Sequence, residues 1–222
     1  SRQFPFRFYS AYLMLADEDL MTDEIHRALE KALTVSVENM EPIPGRSLIA
    51  IDVSGSMGAT VSRKSIVRCA DVAALLGAMA SRLCEDAAVC YFDMAGTWSC
   101  QGEKGYSVKH YGKFDSILSI CESSRFNGGG TQMELPMLYA LNQDQSRAVR
   151  PFDRVIYFSD NMCNCSFGRH QPLQGLVDRY RARYNKDLWV HAVDMQGYGT
   201  QQFRGSRFNL IIPCSYIDPR VD

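Results

Sequence analysis

The chain has 222 residues, of which 46% are hydrophobic and 22% charged, and a formal net charge of -1. These values describe a soluble, globular protein: one α/β domain with some extra structure, or one domain plus a small appendage. No strong overall field draws it to nucleic acid or an acidic membrane, and no apolar run approaches the ~18–20 residues that span a bilayer.

The chain opens SRQFPFRFYS, without a signal-peptide pattern and without an initiating Met. The expectation is a piece of a longer protein, in a cytoplasmic setting. Residues 1 to about 44 read as helical. From Asp23 to Leu33, the residues Ile25, Ala28, Leu29, Ala32 and Leu33 fall on one stripe of an amphipathic helix. Thr22 is placed to cap it, and Asp23 and Glu24 suit its first turn. So short a helical segment has to bury its face on the following domain or on a neighbour. The run Glu41-Pro42-Ile43-Pro44-Gly45 breaks the helix and reads as a linker. We therefore divide the chain into a helical segment, 1–44, and an α/β domain, 45–222.

From Arg46 strands and helices alternate. Strands are expected at 48–51, 87–92, 155–158 and 188–193, with a last edge strand at 209–212. Helices are expected at 61–84, 114–122, 133–142 and 172–184, and a hairpin or edge strand within 97–111. Such alternation implies a doubly wound, mainly parallel sheet with helices on both faces. The eight cysteines are Cys69, Cys84, Cys90, Cys100, Cys121, Cys163, Cys165 and Cys214. Several fall in apolar helix or strand positions, as buried free thiols do. The Cys163-Asn164-Cys165 pair has no second CxxC and no well-spaced histidines, which argues against zinc.

The most informative stretch is Asp52-Val53-Ser54-Gly55-Ser56-Met57-Gly58, between a buried strand and a helix. In doubly wound folds, ligand sites lie at the carboxyl ends of the strands. Asp52, Ser54 and Ser56 alternate, so a short extended or turning segment aims three oxygens the same way. Asn127-Gly128-Gly129-Gly130-Thr131 adds a flexible loop ending in a hydroxyl. Phe158-Ser159-Asp160-Asn161 adds an acid at the end of another core strand. Carboxylate and hydroxyl oxygens suit a hard cation, Mg²⁺ or Mn²⁺. A polar N-cap cluster is the competing reading of the first string alone.

This order and spacing resemble the metal-ion-dependent adhesion site of von Willebrand factor A domains, across residues 46–194. The flanks narrow the branch. Phe4-Pro5-Phe6-Arg7-Phe8-Tyr9, the helix carrying Ala28, Leu29 and Ala32, Gly45 to Met57, Gly129-Gly130-Thr131 with Leu135-Pro136-Met137, and Phe158 to Asn161 resemble the TROVE proteins, the family of the Ro ribonucleoprotein autoantigen. In that family a ring of helical repeats closes on an A-type domain, and the ring binds small noncoding (Y) RNAs and the ends of misfolded RNAs. Residues 1–40 would be only its last repeat. The resemblance implies that Ser54, Ser56 and Thr131 contact the metal through hydroxyls and Asp52 and Asp160 directly or through water. One position is left for an outside ligand, the carboxylate of an acidic protein or a phosphate.

Three functions compete: a non-catalytic metal-dependent binding module of an RNA-binding protein, an adhesion module without RNA, and a metal-assisted hydrolase. Against the hydrolase, His26, His110, His170 and His191 are scattered, and the chain has neither a GxSxG elbow nor a P-loop. Candidate RNA contacts are Arg63 and Lys64, after the metal loop, and Arg179, Arg181 and Arg183 on a helix that also carries Tyr180, Tyr184 and Lys186. A solvated helix face is the plainer reading of that helix.

Overall fold

The structure is a computed structural model and describes residues 4–38, 40–63, 65–124, 129–143, 149–162 and 173–196. Among the described residues five strands form one sheet in the order β3-β2-β1-β4-β5: β1 is Ile43–Asp52, β2 Cys84–Phe92, β3 Tyr106–Lys109, β4 Arg154–Ser159 and β5 Trp189–Asp194. The pairs β2–β1, β1–β4 and β4–β5 are parallel, and β3 alone is antiparallel, at the β2 edge. The fold is thus α/β with a mainly parallel sheet, as the alternation from Arg46 implies.

The central strand β1 is buried from Gly45 to Asp52 because both its faces are covered. Alternate residues serve the two sides. Leu48 and Ala50 join Cys90, Phe92, Tyr157 and Ala192 beneath α5 (Leu135–Asn142) and α6 (Leu173–Arg183). Ile49 and Ile51 join Val89, Tyr91 and Phe158 beneath α3 (Cys69–Leu83). Gly77 lets α3 come down on β1: a Cβ there would stand 2.4 Å from Ile51 Cδ1.

Helices α1 (Pro5–Asp17) and α2 (Asp23–Glu38) pack on the same body. Tyr9, Leu33 and Val37 share a core with Ala74, Leu75 and Ala78 of α3 and with Ile117 and Leu118 of α4 (Ile117–Glu122). Glu30 joins these helices. Its carboxylate accepts from Ile117 N at 2.9 Å, Leu118 N at 3.0 Å and Ser116 Oγ at 2.9 Å, and lies 3.7 Å from Arg82 Nη1. An acid on α2 therefore caps the positive end of α4.

Three sequence expectations change. The helix expected from residue 61 begins at Cys69. Residues 59–68 instead form a closed loop, with Val61 N to Val67 O and Cys69 N to Ala59 O both 2.9 Å. The helix starts where Asp71 receives Arg68 N at 2.8 Å, since a carboxylate at the third helical position can satisfy the N-cap amide. Second, the run 41–45 is not a plain linker, because Ile43 already pairs with Cys84. Third, the apolar run 48–51 is only the middle of a ten-residue strand. Cys69, Cys84, Cys90 and Cys121 are buried free thiols, and Cys100 is a half-buried one. The strand expected at 209–212, Lys64, Asn127, Gly128, Cys163, Cys165, His170 and Cys214 lie outside the described residues.

Candidate metal centre

Four parallel strands lead to an aspartate at the same edge of the sheet: Asp52 and Asp194 are the last residues of β1 and β5, and Asp93 and Asp160 follow β2 and β4. All four are fully buried. Each takes a backbone amide of its own exit turn: Ser54 N to Asp52 Oδ1 at 2.9 Å, Met94 N to Asp93 Oδ1 at 2.7 Å, Met162 N to Asp160 Oδ1 at 3.1 Å and Gln196 N to Asp194 Oδ1 at 3.0 Å. Aspartate favours such turns because its short side chain reaches nearby backbone amides, most often two residues on. Asn161 completes the turn after β4 at φ 59°, a left-handed conformation that Asn tolerates.

Two of these exits, those of β1 and β4, meet the Gly129–Thr131 loop that leads into α5. Gly55 N donates to Gly129 O at 2.9 Å, which ties the Asp52–Ser56 loop to the Gly129–Thr131 loop. Thr131 Oγ1 then lies 2.7 Å from Ser54 Oγ, and Ser54 Oγ lies 3.4 Å from Ser56 Oγ. Ser159 Oγ donates to Asp52 Oδ2 at 2.6 Å, which brings the β4 exit, and with it Asp160, to the same place. Ser54 and Thr131 are buried like the two acids, while Ser56 is partly open.

The electrostatics of this cluster are unbalanced. Burial pushes Asp52 up to about 6, and the nearby charge of Asp160 raises it further; hydrogen bonds from Ser159 and Ser54 pull the other way. Asp160 Oδ2 is buried and has no hydrogen-bond partner among the described residues. A buried carboxylate oxygen left in that state costs free energy unless a positive group reaches it. Among the described residues no three His, Cys, Asp or Glu side chains gather at metal-binding geometry. Any cation here would therefore depend on the hydroxyls of Ser54, Ser56 and Thr131 beside the two acids, a donor set of hard oxygens.

A family model described as the Ro60 vWA domain matches residues 46–202. The chain belongs to that family. Among solved structures, the Ro (RSR) protein of Deinococcus radiodurans is similar, with a TM-score of 0.60 and 21% identity over 86% of this chain and 36% of that one. The chain thus spans about a third of that protein's length. The pilus adhesin SpaC of Lactobacillus rhamnosus GG gives a TM-score of 0.45 and 18% identity, over 71% of this chain and 25% of that one. No curated protein sequence matches.

All five residues expected at the metal lie inside the Ro60 vWA match, and the structure brings them together from three loops. The described candidate RNA residues, Arg63, Arg179, Arg181 and Arg183, fall in two places. Arg63 is exposed on the 59–68 loop, which leaves the metal edge directly after the Asp52–Ser56 loop. Arg179, Arg181 and Arg183 lie on α6. Its last turn meets the start of β5, where Arg181 Nε and Nη2 donate to Leu188 O at 3.2 and 3.0 Å. That is the opposite edge of the sheet, a strand length or roughly 20 Å from Asp194. Arg179 and Arg183 are exposed, whereas Arg181 is half-buried against its own chain.

Sequence reasoning missed Ser159, which holds Asp52; Gln196, whose Nε2 donates to Ser56 O at 3.2 Å; and Asp93. Asp93 and Asp194 carried a readable signal, since each follows an apolar strand as Asp52 and Asp160 do. The role of Ser159 required knowing that β1 and β4 are neighbours.

Proposed function

We propose that this chain is a non-catalytic, divalent-metal-dependent binding module of an Ro-like RNA-binding protein, acting in RNA quality control on small noncoding (Y-type) or misfolded RNA. The observation that carries the metal reading is the buried Asp160 Oδ2, without a hydrogen-bond partner among the described residues and set beside Asp52 and three hydroxyls. Ser54, Ser56, Thr131, Asp52 and Asp160 would hold Mg²⁺ or Mn²⁺. With two acids among five donors, the bound ion would keep an affinity for a further hard oxygen, a carboxylate of an acidic protein or a phosphate.

The binding-module reading is favoured over hydrolysis by the positions of the three described histidines. His26 packs edge-on to Tyr12 and His191 stacks on Trp189, while His110 is exposed at the end of β3. The free thiols accord with a reducing, cytoplasmic setting. Among the described residues no helix is long and apolar enough to cross a membrane. Tight recognition of structured RNA is assigned to the longer protein, because the chain's net charge is -1 and the exposed candidate arginines are divided between two edges of the sheet, Arg63 at one and Arg179 and Arg183 at the other.

Two measurements test this. Calorimetric titration with Mg²⁺ should show binding by the wild type and none by Asp160→Ala, with unchanged circular dichroism; equal affinity in both would end the metal assignment. Anisotropy titration with a small structured RNA at physiological salt should show weak binding by this chain and tight binding by a protein carrying the helical ring. Submicromolar binding by the chain alone would instead place recognition in the A-type domain.

A further inference from the structure

Trp98 is 82% exposed, on the loop 93–105 that joins β2 to β3. A single exposed apolar residue is ordinary on a protein surface. This one is unusual in how its loop is held. The fully buried Asp93 carboxylate accepts from Met94 N at 2.7 Å, Ser99 Oγ at 2.6 Å and Cys100 N at 2.8 Å, so it ties down both sides of Trp98. Gly105 turns at φ 73° where a Cβ would come within 2.5 Å of the Met94 backbone. The loop is also fastened to the metal loop. Gln132 N donates to Asp93 O at 2.7 Å, Gly130 N to Met94 Sδ at 3.1 Å, and a Cβ on Gly129 would stand 3.4 Å from Trp98 O. Gly129 in turn holds Gly55. A large aromatic is thus presented to solvent on a fixed support, one loop away from Ser54 and Thr131.

We propose that Trp98 is a base-stacking residue of the metal cleft, and that the ligand of this cleft is single-stranded nucleic acid. A phosphate oxygen would reach the cation, and the base attached to that backbone would lie on the indole. The inference rests on the metal reading given above. Single-strand binding joins a cationic contact to the backbone with a flat aromatic face for the base. Exposed Arg63 supplies further positive charge at the same edge. An acidic peptide could satisfy the cation but would leave the indole without a partner of matching shape. Because the loop is anchored before any ligand arrives, little ordering is paid on binding.

The test uses the 222-residue chain with Trp189→Phe, which leaves Trp98 as its sole tryptophan. The probes are a short single-stranded oligoadenylate and the abasic oligomer of the same backbone, each in Mg²⁺. Oligoadenylate should quench Trp98 fluorescence saturably. Trp98→Ala should weaken oligoadenylate binding, read by anisotropy, about 5- to 150-fold, the value of one stacked base. The same substitution should leave calorimetric Mg²⁺ affinity and the affinity for the abasic oligomer unchanged. Trp98→Phe should retain much of the binding, and Trp98→Leu, apolar but not flat, should lose it as Ala does. Equal oligoadenylate affinity in wild type and Trp98→Ala would overturn the inference alone. So would a protein that takes up Mg²⁺ but binds only a glutamate-rich peptide. A wild type that takes up no Mg²⁺ would remove the metal reading and this inference together.

Discussion

Replacing Asp52 with asparagine separates what the carboxylate does for the fold from what it does for a cation. The unfolded chain ionises Asp52 at an ordinary pKa near 3.8, whereas burial lifts the folded, metal-free value to about 6. A group whose folded pKa is raised contributes stability below its unfolded pKa and loses it as pH rises through the folded one. Metal-free protein should therefore lose stability between about pH 4 and pH 6, by an amount on the order of 3 kcal/mol. The uncharged amide of Asp52→Asn carries no such penalty. Its oxygen can keep the bond from Ser54 N, and its NH₂ can donate to Ser159 Oγ, whose proton is then free to turn toward Met133 Sδ at 3.5 Å. In EDTA at neutral pH, Asp52→Asn should thus melt higher than wild type, by several degrees at about 2–4 °C per kcal/mol for a chain of this size. Mg²⁺ at a hundredfold excess over its Kd should then raise the wild type by about 2.7 kcal/mol and leave the variant unmoved. Differential scanning calorimetry in EDTA and in Mg²⁺ reads both effects. A variant that melts lower than wild type in EDTA, or that gains as much from Mg²⁺, would refute the reasoning.

Other consequences follow from the same geometry. Metal and proton compete for the Asp52 carboxylate, so the Mg²⁺-dependent gain in Tm should disappear as pH falls through about 6. Gly77→Ala should destabilise, because overpacking at this contact costs about 1–3 kcal/mol against roughly 1 kcal/mol gained in helix propensity. Ile51→Val, which removes the methyl group that the new Cβ meets at 2.4 Å, should be less harmful with Gly77→Ala than alone in a urea double-mutant cycle. Glu30→Ala should lower stability by about 1–3 kcal/mol, since it strips three hydrogen bonds from the start of α4. Unchanged urea midpoints for that variant would show that α2 does not hold α4.

The sequence was most legible where burial writes a simple pattern. The runs at 48–51, 87–92, 155–158 and 188–193 are mostly apolar because those strands are largely buried, and each became a strand. The five oxygen donors were legible because Asp52, Ser54, Ser56 and Asp160 sit where strands end and Thr131 closes a glycine-rich loop, all of restricted composition. The start of α3 was not, because residues 61–67 contain no Pro and resemble helix. What stops the helix there is a set of backbone bonds to Ala59 and Val67 that no local pattern encodes. Ser159 drew no reading of its own, and its bond to Asp52 exists only because β1 and β4 lie side by side. Glu30 carries no local signal of its role, yet it caps a helix 87 residues away. Composition and periodicity report what a residue is buried against in general terms; pairings across the fold require the topology.

A binding module of this kind requires a cation site open to an outside ligand. Mg²⁺ titrations by calorimetry, with and without acetate at constant ionic strength, decide it. An open ion bound by Asp52, Ser54, Ser56, Thr131 and Asp160 gains from an incoming carboxylate, and linkage makes that gain reciprocal. The predicted result is Mg²⁺ binding that tightens when acetate is present. Mg²⁺ binding of equal strength in both buffers would contradict the account: the ion would be an enclosed structural one, and the cleft would not be a binding site.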